Sequence, residues 1–250
     1  DEYNLRCEEL TGKKAPPDAA GLYFSMPLNV CIFYDVAQSR DIKEAVARAN
    51  KLEQDSKNTT KGQQRRALKN EAKWIRKEIR RLQEQLNRSV IQHEVAHQLL
   101  FNLGVHTSKR TRQGRLNPIW FAEGLATHFE PAQTGSGVKR PNRYRLRAMC
   151  DVLDRGIPSM RKFIVDPTGG AEGLTAEGYA WSWLLTHFLI RRHGEKLPGY
   201  VERIKARDEG ENITPERDMD DFESCFGRID ETREKEWKEF VNGYIRRVCK

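Results

Sequence analysis

Cysteine is scarce in this 250-residue chain, and no two cysteines stand in a C-x-x-C arrangement: Cys7, Cys31, Cys150, Cys225 and Cys249 are scattered from end to end. That spacing argues against a cysteine metal site and leaves buried thiols, with one or two disulfides open to an exported protein. The odd count leaves at least one thiol unpaired or paired between chains. Long apolar runs are also missing. The apolar fraction is only 38%, the richest stretch is Trp181 to Ile190, and nothing reaches the roughly 18 residues a membrane helix needs. No signal peptide is in view. The chain opens at Asp1, inside what reads as a helix, so we expect a mature or excised domain; a leader would have stood upstream, and its absence decides nothing about compartment.

Charge of one sign is short everywhere except in one place. The net charge is +8, but Lys61 to Arg88 holds ten Lys or Arg against three Glu, leaving the rest nearly neutral. A basic helix can neutralise phosphates. Trp74 is the only aromatic in this stretch, so there is no stacking platform, and neither helix-turn-helix nor zinc-finger spacing occurs. Those absences argue against a nucleic-acid binder and leave a basic face open to polyanion contact.

What is present is concentrated in Ser89 to Leu99, which contains His93-Glu94-Val95-Ala96-His97, the pattern H-E-x-x-H. Residues four apart lie on one helix face, so His93 and His97 can converge on one ion with Glu94 beside them. With six His in the chain, chance supplies roughly 0.01 such matches. Val90, Ile91, Val95, Ala96, Leu99, Leu100 and Phe101 make the segment apolar nearly all round, which predicts a buried helix. Two histidines and a glutamate inside it need partners, because uncompensated buried polar groups are costly; a divalent cation serves all three. Catalytic zinc takes three protein ligands and keeps a position open. A metzincin would have Gly and His where Leu100 and Leu103 stand, so that pattern is excluded. The run Asn117 to Glu130 offers Glu123 instead, 26 positions after His97, in an apolar helical setting started near Pro118.

H-E-V-A-H followed by W-F-A-E-G-L-A resembles the gluzincins, the thermolysin-like or peptidase MA-like zinc metallopeptidases. Within them it resembles a group of bacterial exported proteins carrying a domain of unknown function, over about Gly21 to Tyr244 without the stretch from Asp35 to Asn87. The resemblance implies an α+β, predominantly helical, thermolysin-like fold and one Zn²⁺ per chain on His93, His97 and Glu123. It implies Glu94 as general base, a peptide or protein substrate, and a periplasmic, cell-surface or secreted location. It also implies an oxyanion donor on the helix from Thr175 to Arg192, where Tyr179 and His187 compete, a core tyrosine being the plain alternative for the first. Thermolysin-like members carry an aspartate four residues after the ligand glutamate; here that place is Thr127, and Glu130 is the substitute one turn on. A later glutamate looks like the aminopeptidase branch, but G-x-M-E-N is absent, so N-terminal specificity does not carry over.

Three parts of one catalytic domain are expected. Residues 1–35 hold a short helix and a β-hairpin turning at Ser25 to Asn29, whose free edge would align an extended substrate. Residues 36–88 form a basic helical hairpin, apolar at Ile42, Ala45, Val46, Ala49 and Leu52 on one arm and at Leu68, Ile75, Ile79, Leu82 and Leu86 on the other. Residues 89–250 hold the zinc helix, the ligand helix and a helical remainder. Between them, His106 to Leu116 reads as a polar loop with His106 at the surface, and Pro131 to Asn142 as a Gly-rich loop near the cleft. Trp120 reads as core. Two rivals to a peptidase follow: a domain that binds zinc and peptide without turnover, and a polyanion binder acting through the basic helix.

Overall fold

The computed structural model describes residues 2–249 except 13, 16–18, 26, 108–109, 112–113, 116, 131–141, 148, 151–155, 172, 209, 212 and 248. The expected loop from Pro131 to Asn142 therefore lies almost wholly outside the described residues. The fold is predominantly helical, with a small two-stranded antiparallel sheet and a second pair of two-residue strands. The chain forms two compact units, Asp1–Phe24 with Val30–Glu94, and Ser25–Asn29 with Val95–Lys250. The division falls inside one uninterrupted helix.

In the first unit, α1 (Glu2–Thr11) ends at Gly12, whose φ of 71° is the left-handed conformation that glycine adopts without strain. Strands β1 (Gly21–Phe24) and β2 (Val30–Phe33) pair antiparallel, Gly21 opposite Phe33 and Phe24 opposite Val30. Tyr3 of α1 packs edge-on against Tyr34, just past β2, with ring centroids 5.7 Å apart. Helix α2 (Arg40–Asn58) and helix α3 (Gly62–Asn102) form the helical hairpin. Its core is Val36, Ile42, Ala49, Ile75 and Ile79, with Ala45, Leu52 and Leu86 at the edge. Leu82 does not join that stripe; it is exposed. Helix α3 runs without a break through the basic arm and the histidine motif.

The expectation of a helix buried all round fails at the motif. Ile91, Leu99 and Leu103 are 44%, 54% and 76% exposed, whereas His93, Glu94, Ala96, His97 and Leu100 are buried. Helix α3 is covered there on the histidine side, and its apolar residues on the opposite arc face outward.

The second unit begins with the hairpin turn, in which Asn29 has a φ of 48°. Its carbonyl accepts a hydrogen bond from Gln98 Nε2 at 2.7 Å, and its side-chain amide donates to Asn102 at 3.1 Å. Past Gly104, with a φ of 70°, the expected polar loop contains the strand pair β3 (Arg110–Thr111) and β4 (Gly114–Arg115). Helix α4 (Ile119–Phe129) packs directly on α7 (Ala176–His193). Gly124 is the point of closest approach: a Cβ there would sit 2.2 Å from Thr186 Oγ1 and 2.5 Å from the Ser182 carbonyl oxygen. Around this pair stand α5 (Arg143–Arg147), α6 (Met160–Val165), α8 (Leu197–Lys205), α9 (Pro215–Phe226) and α10 (Glu231–Ile245). Trp120, Phe121, Trp183, Phe188, Tyr200, Phe222 and Trp237 fill the core between them. Thr175, Thr214 and Asp230 cap α7, α9 and α10 through their side-chain oxygens. A disulfide joins Cys150 to Cys249, while Cys7, Cys31 and Cys225 remain thiols. Among the described residues no helix is long and apolar enough to cross a membrane.

Candidate metal centre

One turn of α3 carries both imidazoles. His93 and His97 are each 8% exposed on the covered side of the helix. Glu123 enters from α4, where Gly124 lets the helix lie against α7 and the Thr127 hydroxyl donates 2.6 Å to the Glu123 carbonyl oxygen, fixing the turn that bears it. His97 Nε2 and Glu123 Oε2 are 3.3 Å apart. The ligand atoms of His93, His97 and Glu123 all lie within 4.8 Å of one another.

These donors fit zinc. Bonds of about 2.1 Å to one tetrahedral ion place neighbouring ligand atoms about 3.4 Å apart, which is close to the observed separation of His97 and Glu123. Two imidazoles and one carboxylate are also the donor set of a catalytic zinc that keeps a position open. Among the described residues no thiol belongs to this cluster; burial, with Glu94 adding, pushes the Cys31 thiol up to about 11.

Glu94 lies next along the helix and is 9% exposed. Its backbone carbonyl accepts a weak hydrogen bond from Cys31 Sγ at 3.4 Å. Its side chain is walled by the start of β1, where a Cβ on Gly21 would sit 2.7 Å from Glu94 Cγ and 3.1 Å from Oε1. Glycine at position 21 thus makes room for this carboxylate. Burial first, then Cys7 and Glu94, raise the pKa of the Tyr3 hydroxyl, so it remains a neutral donor in this part of the molecule.

Glu130, at the end of α4, is buried and forms a two-pronged ion pair with Arg145, at 3.0 Å from Nε and 2.6 Å from Nη2. It also accepts from the buried Asn142 at 3.0 Å, whose amide bonds the Thr127 carbonyl at 3.3 Å as well. Arg145 lies over the ring of Tyr179 at 5.0 Å, which links Glu130 to the first turn of α7. Asn142 and Arg145 carry no motif and were not foreseen. Tyr179 is half-buried. His187, two turns further along α7, is 2% exposed, stacked on Trp183 and 2.8 Å from the Tyr244 hydroxyl. Desolvation, with His128 and Arg191 adding, lowers its pKa to about 4.

His106 is a correction. Expected at the surface, it is 8% exposed, and its ring centroid is 5.8 Å from that of His97. The chain reverses at the end of α3, where the amides of Val105 and His106 both bond the Leu100 carbonyl and fold the ring back along the helix. A lone histidine beyond a helix end gives no sequence signal of such a return.

Residues 87–208 are similar to a family described as a protein of unknown function, DUF1570. That span takes in the histidine turn of α3, the Glu123 helix and α7, and leaves out the β-hairpin and most of the basic helical hairpin. No curated protein and no solved structure matches the chain.

Proposed function

We propose that this protein is a zinc-dependent peptidase of the gluzincin type, acting on a peptide or protein with one zinc per chain. The observation that carries this reading is the convergence of His93, His97 and Glu123, with the buried Glu94 next to His93 on the same helix. The three ligands would hold the ion. When bound, zinc supplies a water whose pKa falls toward ~7 and a Lewis acid for the scissile carbonyl. Glu94, placed beside a ligand rather than among them, accepts the proton of the attacking water and returns it to the leaving amine. Gly21 keeps space for that carboxylate to turn between the two tasks.

Attack on the amide carbon leaves charge on the former carbonyl oxygen, which needs a donor. Tyr179 is the assigned donor. It is half-buried at the start of α7, and the guanidinium over its ring favours a polarised hydroxyl. His187 ranks second, because one of its nitrogens already meets the Tyr244 hydroxyl in the core. The disulfide between Cys150 and Cys249 supports an oxidising, exported location.

Metal analysis and activity test the reading together. The purified protein is expected to hold about one zinc per chain. Glu94→Gln is expected to retain it while hydrolysis of casein or a peptide mixture drops by about a thousandfold. Glu123→Ala is expected to lose both ion and activity. A protein that binds zinc but hydrolyses nothing before mutation would be a binding domain; one that holds no metal would end the assignment.

A further inference from the structure

Between α2 and α3 of the first unit lies a groove of about 430 Å³, far up the helix from the histidines. Its floor is the buried Ala72, and cationic side chains stand along it. Two arginines at this hairpin are already neutralised: Arg76 bonds Glu53 at 2.5 Å and Asn50 at 3.0 Å, and Arg48 bonds Glu71 at 2.9 Å. Lys69, Lys73, Lys77 and Arg80 also line the groove, are exposed, and make no ion pair among the described residues. The basic run therefore does more than solvate a helix; four of its cations without an ion pair among the described residues stand along one concavity.

We propose that this groove binds an extended acidic polypeptide segment with carboxylates at alternate residues. The register carries the inference. Residues four apart on a helix are about 6 Å apart along its axis, so Lys69, Lys73, Lys77 and Arg80 present a row of cations over about 16 Å. Alternate side chains on one face of an extended chain are separated by about 6.6 Å. A segment of the form acidic-x-acidic-x-acidic meets Lys69, Lys73 and Lys77 in turn, with Arg80 about 4.5 Å further along the axis. The aliphatic stems of the lysines and the methyl of Ala72 pack against its backbone. A bilayer is flat and does not enter a concavity. A nucleic acid would gain from a stacking ring, and the one exposed tryptophan, Trp74, does not line the groove. On the peptidase reading above, such segments name the substrate class, acidic proteins; the groove itself is tested as binding, apart from hydrolysis.

The probe is a fluorescein-labelled peptide of alternating Glu and Ser, titrated by anisotropy into the full chain carrying Glu94→Gln. Saturable binding that weakens with salt is expected. Replacing Lys69, Lys73, Lys77 and Arg80 together by Ala is expected to weaken it by about tenfold or more. Replacing Lys61, Arg65, Arg81 and Arg88, which removes equal charge outside the groove, is expected to change it less than about threefold. Far-ultraviolet circular dichroism confirms that both variants are folded, and Lys→Arg at the three groove lysines is expected to restore binding. Equal losses in the two quadruple variants would overturn the groove in favour of the general field of the helix. So would anionic vesicles or single-stranded DNA that bind and shield Trp74 from acrylamide while the peptide does not bind. Because the four buried tryptophans are protected, quenching reads that one side chain. A catalytically inert but peptide-binding protein would leave the groove standing and end only the peptidase.

Discussion

Compare what stands behind two carboxylates, one from each compact unit. Glu94 belongs to a unit whose buried cluster is five aliphatic residues between α2 and α3. Glu123 belongs to one whose cluster takes in several helices and is dominated by rings, with Trp120, Trp183, Trp237, Phe121 and Phe188 almost wholly buried. Glu123, the proposed ligand, is therefore placed by bulk packing: α4 is seated on α7 at Gly124, and Thr127 and Asn142 lock its last turn. Glu94, the proposed base, has local devices beside it, among them a missing side chain at Gly21 and a thiol donating to its carbonyl. On the proposed mechanism wrong positions cost most at the reacting atoms, and Glu94 would be the group that rests on the lighter foundation.

The largest expected break of that contrast is in stability. Leu184, fully buried on α7, should lose about 4 kcal/mol on Leu184→Ala, since the crowded core leaves a cavity that cannot collapse. Ile75, 8% exposed in the small cluster, should lose about 2 kcal/mol on Ile75→Ala. Urea titration followed by circular dichroism measures both, and hydrogen exchange should place the second loss in α2 and the first half of α3. Equal costs would show the small unit to be as tightly built as the large one.

Next in size is a pH effect confined to the ring-rich core. Burial, His128 and Arg191 hold the His187 pKa at about 4, below the ordinary 6.5, so the native state keeps this imidazole neutral. Below about 6.5 the unfolded chain takes up a proton that the folded chain refuses. Stability is thus complete above that pH and falls as pH drops toward 4, by up to about 3 kcal/mol. Denaturation midpoints between pH 7 and 4, taken in chelator so that protons do not compete at the zinc ligands, should show this slope. His187→Gln should flatten it. A slope unchanged by that substitution would mean that His187 is already charged or that another group carries the effect.

Both regions were partly legible in the sequence, for different reasons. H-E-x-x-H announces itself because metal ligation on a helix forces a spacing of four, and the apolar run around Glu123 marked a carboxylate that needed a partner. The two arms of the helical hairpin, α2 and the first part of α3, were visible from periodicity. The supports of the site were not visible. Asn142 and Arg145 act through long-range bonds to Glu130, and no local pattern records a bond across 12 or 15 residues. His106 was misplaced because a histidine past a helix end looks the same whether the chain leaves or folds back. The outward-facing Ile91 and Leu99 were misread as core because apolarity was counted around the helix without knowing which side was covered. Gly124 stood inside a helical pattern, where glycine is unfavourable. That was a hint of close approach, but the partner, the Ser182 carbonyl, could only come from the fold.

Gly21 gives the smallest and most selective test of the contrast. The position lies at the start of a short strand and needs no unusual backbone conformation, so through the main chain alanine adds stability on the order of 0.5 kcal/mol by restricting the unfolded chain. The cost falls on two side chains instead. The new Cβ would lie 2.7 Å from both Glu94 Cγ and Val90 Cγ1, so each of these side chains must shift. Gly21→Ala is therefore expected to leave zinc content and the denaturation midpoint nearly unchanged while lowering kcat by about tenfold to a hundredfold through a displaced base, with KM little altered. A matched loss of zinc would mean that Gly21 supports His93 as well. Full activity would mean that Glu94 works from a rotamer that β1 does not touch, and the lighter unit would then contribute less to catalysis than its contacts indicate.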